Sequence, residues 1–133
     1  MKLVIQIPCL NEENSLPVTL EALTKHIDGI DEIEVLVIDD GSTDNTVDVA
    51  KRAGADAVIS LGSNKGLAKA FVAGINKALS MGADIIVNTD ADNQYKAEYI
   101  EKLIKPILEN KADIVIGARP VDSIEHFSPL KKF

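Results

Sequence analysis

Cysteine and basic residues are scarce in this 133-residue sequence. The single cysteine, Cys9, excludes an internal disulfide and a cysteine-rich zinc site, and it leads us to expect a reduced, cytoplasmic setting. Lys and Arg number 14 against 21 Asp and Glu, which gives a formal net charge of −7. Nucleic-acid binding needs a basic stripe, so this charge balance argues against it.

Long hydrophobic runs are also missing. No apolar run approaches the length of a membrane span, and no signal peptide precedes the first predicted strand, so we expect a soluble protein without a transmembrane segment. Spaced apolar residues and two lysines near the end are compatible with a peripheral contact at the cytoplasmic face of a membrane. These residues are Val121, Ile124, Phe127, Leu130, Lys131, Lys132 and Phe133. An ordinary packed or frayed tail is the simpler interpretation.

The whole sequence is 46% apolar. Before the last residues, short apolar runs alternate with segments of helical spacing. The predicted strands are residues 3–7, 33–38, 57–61, 85–89 and 114–116. Near-continuous apolar runs are typical of strands buried on both faces. The alternation predicts an α/β fold, a parallel sheet between two layers of helices with strand order 3-2-1-4. We expect one domain over residues 1–120, followed by a tail over 121–133.

Several boundaries follow from single residues. Pro8 should close the first strand because it cannot donate to a ladder. The first helix should begin after Ser15 and run to about Gly29, with Ile27 on its buried face. Pro106 should kink the last helix or shorten it at Lys105. In the third helix, the spacing predicts a wide apolar face made of Leu67, Ala70, Phe71, Gly74, Ile75, Ala78 and Leu79.

Acidic and amide residues follow three of the predicted strands. Asn11-Glu12 follows the first, Asp39-Asp40 the second, and Asp90-Ala91-Asp92 the fourth. In open α/β sheets, ligands bind beyond the carboxyl ends of the strands where the strand order reverses, which here lies between strands 1 and 4. We therefore expect these loops to converge at one crevice.

Asp90 and Asp92 stand two residues apart. An extended backbone points residues i and i+2 to the same side, so both carboxylates can aim at one point. A hard divalent cation that accepts oxygen ligands is the natural partner for them. The alternative is a plain turn, in which Asp side chains bond their own backbone. The convergence of three acidic loops favours the metal.

Common phosphate-binding and nucleophile motifs are absent from the sequence. No Gly-rich fingerprint follows the first strand, and there is neither a P-loop nor a nucleophile elbow. What remains is a site rich in carboxylates and amides, where we expect a divalent ion. Such an ion can neutralise a diphosphate and stabilise it as it leaves. Asp39 is a candidate acceptor for a base or ribose, and Lys65 and Arg119 are candidates for phosphate oxygens, with surface charge as the alternative. We interpret Cys9 as a packing residue rather than a nucleophile.

Five motifs occur together in a characteristic order. They are Pro8-Cys9-Leu10-Asn11-Glu12, Asp39-Asp40-Gly41-Ser42-Thr43-Asp44, Asn64-Lys65-Gly66, Asp90-Ala91-Asp92-Asn93-Gln94 and Gly117-Ala118-Arg119. On matching strand ends over residues 3–119, this set resembles the family 2 glycosyltransferases of the GT-A fold. Within that family the likeness is to the polyprenyl- and dolichol-phosphate sugar transferases. The pair Cys9-Leu10 departs from the family, which often has a polar or aromatic pair before the Asn.

The resemblance implies a UDP- or GDP-sugar donor, a Mg²⁺ or Mn²⁺ ion, and direct displacement with inversion at the anomeric centre. It implies that Asp90 and Asp92 are catalytic, and that Asp90, Asp92 and Gln94 hold the metal or the donor diphosphate. The nucleotide-binding residues that it implies are Pro8, Asn11, Glu12, Asp39, Asp40, Gly41, Ser42, Lys65, Asp90, Ala91 and Arg119.

Family members continue past Arg119 into a part that supplies acceptor contacts and often a general base. We therefore expect this chain to carry the donor-binding half. A sugar hydroxyl needs a base to remove its proton, whereas a polyprenyl phosphate, with roughly −1.5 to −2 charges at neutral pH, can attack without one. A lipid-phosphate acceptor therefore tolerates the missing half better in chemistry, though not in acceptor binding. We predict a homodimer that forms through an exposed sheet edge beside strand 4 or through the tail. The alternatives are a non-catalytic nucleotide-binding or assembly module and a sugar-phosphate nucleotidyltransferase, although the latter usually has a Gly- and Arg-rich loop after strand 1.

Overall fold

The computed structural model describes residues 1–23, 25–91 and 97–109, and only the backbone of residues 97–99. Contacts divide the chain into a unit over Met1–Ala97 and a second unit that begins at Glu98. The strands are β1 (Lys2–Cys9), β2 (Glu32–Asp39), β3 (Ala57–Ser60) and β4 (Ile85–Asn88). The helices are α1 (Leu16–Ala22), α2 (Thr46–Arg52), α3 (Leu67–Ser80) and α4 (Ala97–Leu108).

Three predictions fall on residues that the structure does not describe. The strand predicted at 114–116, the domain boundary at residue 120 and the tail over 121–133 all lie outside the described ranges. They stay predictions, as does the homodimer. None of the helices within the described ranges is both long enough and apolar enough to cross a bilayer.

The four strands form one parallel sheet in the order β3-β2-β1-β4, which confirms the predicted topology. β1 pairs with β2 along its whole length, up to Cys9 beside Asp39. On its other side β1 pairs with β4, up to Gln6 beside Asn88. Because all strands run in one direction, their carboxyl ends meet at the same edge of the sheet. The loops that follow β1, β2 and β4 therefore leave the sheet side by side.

Strand β1 is the centre of the core, since every residue from Leu3 to Cys9 is buried. On one face of the sheet, Val4, Leu36 and Ile38 pack against the small residues of α3. Fully burying an aliphatic side chain of this size contributes about 1.5–3 kcal/mol. The burial of both faces explains why the strands read as continuous apolar runs rather than as alternating ones.

The buried face of α3 is narrower than the predicted one. Its buried residues are Ala70, Gly74 and Ala78, spaced four apart. Leu67 and Leu79, which were predicted on the buried face, are 69% and 58% exposed. The small residues let the helix approach the sheet closely, and a close approach leaves room for only one row of side chains.

Helix α1 is shorter than predicted. It ends at Ala22, because the backbone of Leu23 is extended, with ψ 144°. Ile27 is nevertheless buried, at 2% exposure. It reaches the core from the connection between α1 and β2, so its spacing of four from Leu23 does not mark a helical turn.

Pro8 does not end β1, which continues to Cys9. The carbonyl of Cys9 accepts a hydrogen bond from Asp40 on the β2 side. Backbone polar groups alternate in direction along a strand, so the nitrogen of Pro8 faces the opposite side, where β4 has already ended at Asn88. The missing N–H therefore removes no bond to β2, and the expectation of a closed strand was wrong for this reason.

Pro106 lies inside α4 and does not shorten it at Lys105, so the second of the two predicted effects is wrong, and the kink stays a prediction. A proline removes only its own N–H from the ladder, and the turn beyond it can still form. The backbone N–H of Glu109 accordingly donates to the carbonyl of Lys105 at 2.9 Å.

Candidate functional site

Asn11 joins the loops that follow β1 and β2. Its side-chain Oδ1 accepts hydrogen bonds from the backbone N–H groups of Thr43, at 2.8 Å, and Asp44, at 3.3 Å. Its own backbone N–H donates to Ser42 Oγ at 2.8 Å. Asn11 has a positive φ of 53°, a conformation that Asn tolerates better than most residues. The carbonyl oxygen of this predicted nucleotide ligand is thus engaged within the protein.

The same two loops are joined again one step further along the chain. The backbone N–H of Glu12 donates to Thr46 Oγ1 at 2.9 Å, and that of Glu13 donates to Asp44 Oδ2 at 3.3 Å. The N–H of Asn45 donates to Glu13 Oε2 at 3.2 Å. The Thr46 hydroxyl and backbone N–H both donate to Asp44, and these bonds hold the pKa of the Asp44 carboxyl below its usual range. We call these two joined segments, residues 10–15 and 40–46, the paired loops.

Asp39 ends β2 and is 2% exposed. Its Oδ1 accepts from the backbone N–H of Ser42 at 3.1 Å, and its Oδ2 accepts from Ser60 Oγ at 3.2 Å. Each carboxylate oxygen can accept a second hydrogen bond, so the group is oriented and retains acceptor capacity. Ser60 was not singled out in the sequence. Its signal is positional, because it ends β3 directly beside Asp39.

Asp40 and Gly41 hold the loop between β3 and α3. Asp40 is 6% exposed, and its two oxygens accept from the backbone N–H groups of Lys65, at 2.8 Å, and Gly66, at 3.1 Å. Gly41 has φ +87°, and a Cβ there would lie 2.4 Å from the carbonyl carbon of Ser63. Both residues are predicted nucleotide ligands. In the structure, Asp40 bonds the backbone of the loop before α3, and Gly41 lies close to the backbone of the same loop. The side chain of Lys65 is exposed on this loop.

The chain beyond β4 is tied to β1 and α1. The backbone N–H of Thr89 donates to the carbonyl of Gln6 at 3.0 Å, and the Thr19 hydroxyl donates to the carbonyl of Ala91. Asp90 lies between these two attachments and is half-buried. The structure thus places Asp90 and Ala91 on the same sheet edge as Asp39, as the sequence predicts.

Other predicted ligands lie outside the described residues. Asp92, Gln94 and Arg119 belong to this set, and their roles stay predictions. Within residues 1–23, 25–91 and 97–109, no three His, Cys, Asp or Glu side chains are grouped so as to hold a metal.

Cys9 is buried at the end of β1. Burial raises the pKa of its thiol to about 12, with a further contribution from the negative charge of Glu12 and Asp39. Since the thiolate is the nucleophilic form, this thiol is inert near neutral pH, in keeping with a packing role.

Gln6 and Asn88 form a polar pair that the sequence reasoning missed. Gln6 is fully buried, and its Nε2 donates to the backbone carbonyl of Phe71 at 3.3 Å and to Asn88 Oδ1 at 3.0 Å. The signal was a polar residue in each of two apolar strands. The parallel register sets the two residues side by side.

A groove of about 620 Å³ lies between α1 and β2 and is lined by Leu20, Ile33, Val35 and Gly54 among others. Ile33 and Val35 belong to the first half of β2, so the groove is separate from the carboxyl edge of the sheet. We assign no role to it.

The fold and the site together define a class: an α/β protein with a carboxylate- and amide-lined edge where the order of its parallel strands reverses. The model of the family Glycosyl transferase family 2 matches residues 4–131. This chain therefore belongs to glycosyltransferase family 2, as its motifs predict.

Named relatives agree with this membership. An undecaprenyl-phosphate mannosyltransferase of Micrococcus luteus is 38% identical over 125 residues, which cover 91% of this chain and 49% of that protein. A dolichol-phosphate mannosyltransferase of Pyrococcus furiosus is 35% identical over 124 residues, covering 91% of this chain and 34% of that protein. The chain thus spans about half, or less, of the length of these relatives.

Solved structures show the same fold. Glucosyl-3-phosphoglycerate synthase of Mycobacterium tuberculosis, crystallised with Mn²⁺, UDP and glucosyl-3-phosphoglycerate, matches with a TM-score of 0.64 and 27% identity, over 80% of this chain and 39% of that one. Residues 1–349 of S. aureus TarS match with a TM-score of 0.66 and 24% identity, over 85% of this chain and 34% of that one, which bears on the fold alone. The predicted GT-A fold is confirmed.

Proposed function

We propose that this chain is the donor-binding half of an inverting glycosyltransferase that uses a UDP- or GDP-sugar and a divalent metal ion. The observation that carries the proposal is the parallel register, which brings the ends of β2 and β4 to either side of β1. Asp39 and Asp90 then lie at one edge of the sheet. In folds of this kind, ligands bind at that edge.

Asp39 is the residue that we assign to the nucleoside. Its carboxylate is buried and oriented by Ser42 and Ser60, which keeps it in place before a ligand arrives. A carboxylate that retains acceptor capacity suits the N–H groups of a base or the hydroxyls of a ribose. The neighbouring loop presents Lys65, and Arg119 is the second cation that we assign to phosphate oxygens.

The metal ligands that we propose are Asp90, Asp92 and Gln94. Their donors are oxygen atoms only, the set that Mg²⁺ and Mn²⁺ prefer over softer metals. An ion bound there supplies positive charge to the diphosphate that leaves the sugar. We assign Asp90 and Asp92 the catalytic role on this ground.

For the acceptor we propose a polyprenyl phosphate. An oxygen of that phosphate forms the new bond to the anomeric carbon while the bond from that carbon to the nucleoside diphosphate breaks, which inverts the centre. The acceptor carries roughly −1.5 to −2 charges at neutral pH, so no base has to remove a proton from it. The two named relatives act on lipid phosphates by their names. A lipid acceptor places the reaction at a membrane surface, and we propose the cytoplasmic face.

Calorimetry with UDP and GDP, each with and without Mn²⁺, tests the donor site. We expect one nucleotide to bind in the presence of Mn²⁺, and Asp90→Asn and Asp92→Ala each to weaken binding tenfold or more. Asp28→Asn is the matched control, because it removes an exposed carboxylate from the connection between α1 and β2. Binding that is indifferent to Mn²⁺ and to both substitutions would contradict the proposal.

Transfer of labelled sugar to a lipid phosphate separates an enzyme from a non-catalytic nucleotide-binding module. The chain should be assayed alone and together with the remaining half of the relatives' length, supplied as a second polypeptide. Donor binding without transfer in both cases would favour the module.

A further inference from the structure

The buried amide of Gln6 has a defined orientation. The group that it contacts on α3 is the backbone carbonyl of Phe71, which can only accept a hydrogen bond. The Gln6 atom that faces this carbonyl must therefore be the amide nitrogen. The same nitrogen lies 3.0 Å from the side chain of Asn88.

This orientation determines that of Asn88. Because Gln6 donates, the Asn88 atom that receives the bond must be its oxygen, Oδ1. The NH₂ group of Asn88 is then directed away from Gln6. Asn88 is the last residue of β4 and is exposed, so its N–H donors are presented at the carboxyl edge of the sheet, two residues before Asp90.

The burial of the Gln6 amide is energetically unfavourable in two respects. Gln6 Oε1 is buried and has no hydrogen-bond partner among the described residues, which is uncommon in folded proteins. In α3, a Cβ at Gly74 would lie 2.7 Å from that oxygen and 2.8 Å from Ile38 Cδ1. A glycine inside a helix is unfavourable as well. A leucine at position 6 would remove this unpaired buried oxygen, so stability alone does not account for the amide.

The chemistry of the edge gives the pair a use. Asp39 and Asp90 offer only acceptors when ionised, whereas phosphate and sugar oxygens require donors. Asn88 supplies N–H donors at the end of β4 and adds no charge.

We infer that Asn88 contacts an oxygen of the nucleotide-diphosphate sugar, and that Gln6 is a positioning residue that holds the Asn88 amide with its N–H groups outward. This inference rests on the proposed function and adds a residue to its donor site.

A double-mutant cycle on the chain tests the pair. The ligands are UDP and UDP-glucose with Mn²⁺, or GDP and GDP-mannose if the wild-type chain binds GDP instead. We expect Asn88→Leu to weaken binding of the nucleotide sugar about tenfold and Gln6→Leu to weaken it three- to fivefold. In the Asn88→Leu background, Gln6→Leu should cause no further loss. We expect Gln6→Leu not to lower the thermal midpoint, because it removes an unpaired buried oxygen.

Asn76→Leu is the control, since it replaces an exposed amide on α3 and should leave affinity unchanged. Asn88→Asp keeps the oxygen that faces Gln6, keeps the size of the side chain, and replaces the outward N–H groups, so it too should weaken binding. If Gln6→Leu does not fold, the exposed Asn88 variants carry the test.

The outcomes are distinct. A loss for both the nucleotide and the nucleotide sugar places the contact on the nucleotide, and a loss for the nucleotide sugar alone places it on the sugar. Wild-type affinity in Asn88→Leu overturns the inference while the proposed function stands. Equal losses from Gln6→Leu in both backgrounds overturn the positioning role of Gln6. A wild-type chain that binds neither nucleotide overturns the proposed function, and the inference with it.

Discussion

The paired loops and the end of β4 lie at the same edge of the sheet and use their polar residues in opposite ways. In the paired loops, Asn11 and Asp44 satisfy backbone N–H groups of the neighbouring loop. At the end of β4, the buried side chain of Gln6 donates a hydrogen bond to Asn88, and the side chain of Asn88 is exposed. The polar side chains of the paired loops are used in hydrogen bonds between the loops. The amide of Asn88 is instead exposed at the end of β4.

The comparison changes the meaning of the acidic loops. Asp39 and Asp40 are adjacent and both buried, yet Asp40 accepts two backbone N–H groups of the loop before α3, whereas Asp39 is oriented by one N–H and one hydroxyl. Asp40 closes a loop, and Asp39 is the carboxylate that we assign to the nucleoside, yet the sequence shows the same residue type at both positions. Substitutions that separate stability from binding distinguish the two.

The largest expected effect comes from Gly41→Ala in the paired loops. The new Cβ would lie 2.4 Å from the backbone of Ser63, at a φ of +87°. We expect a loss of about 3 kcal/mol or more in the free energy of unfolding, from overpacking and left-handed strain together. Urea denaturation measures this loss.

Gly54→Ala is the matched control. Its φ is +97°, and a Cβ there would meet nothing within 4 Å. It should lose only the strain, about 1–2 kcal/mol. Equal losses in the two variants would mean that the contact between Gly41 and the loop before α3 is unimportant.

A smaller effect is expected at Asn11. Asn11→Ala removes the acceptor of two backbone N–H groups. It also places alanine, which tolerates the left-handed region less well than asparagine, at a φ of 53°. We expect a loss of about 2 kcal/mol in the free energy of unfolding. Asn11→Asp keeps the acceptor oxygen and should be more stable than Asn11→Ala.

Asn11→Gly separates the two causes, since glycine relieves the backbone strain and leaves the hydrogen bonds unmade. We expect Asn11→Gly to be more stable than Asn11→Ala and less stable than wild type. If Asn11→Gly is more stable than wild type, the relief of strain outweighs the lost side-chain bonds between the paired loops.

The smallest effect concerns pH. The Thr46 hydroxyl holds the pKa of Asp44 below its usual value, so the pKa is lower in the folded than in the unfolded state. The resulting stabilisation is present above the unfolded pKa, about 3.9, and is lost as the pH falls through the folded pKa. Asp44→Asn should therefore be less stable than wild type at pH 7, and the difference should shrink as the pH falls through the folded pKa of Asp44.

Denaturant midpoints of both proteins, measured about every pH unit from about pH 2 to about pH 7, test this change in the difference. Asp48→Asn, in the first turn of the same helix, is the control, because no described hydrogen bond links it to the loop after β1. A constant difference between Asp44→Asn and wild type over this range would contradict the assignment.

The sheet was predictable because a chain that alternates short apolar runs with helical segments has few ways to bury both faces of its strands. The convergence of Asp39 and Asp90 follows from the same topology. The burial of Ile27 outside a helix and the exposure of Leu67 were not predictable, because apolar spacing records which residues are hydrophobic and not which row meets the sheet. The pairing of Gln6 with Asn88 depends on strand register, which the order of the strands alone does not specify.

Pro8 also determines where the sheet stops. In a parallel ladder, the rung after the bond from Thr89 to Gln6 would run from the nitrogen of residue 8 to the carbonyl of Thr89. Proline has no backbone N–H to donate, so the pairing of β1 with β4 cannot continue by one more hydrogen bond. The chain is released from the sheet at Thr89, and the next residue, Asp90, begins the segment that we assign to the metal.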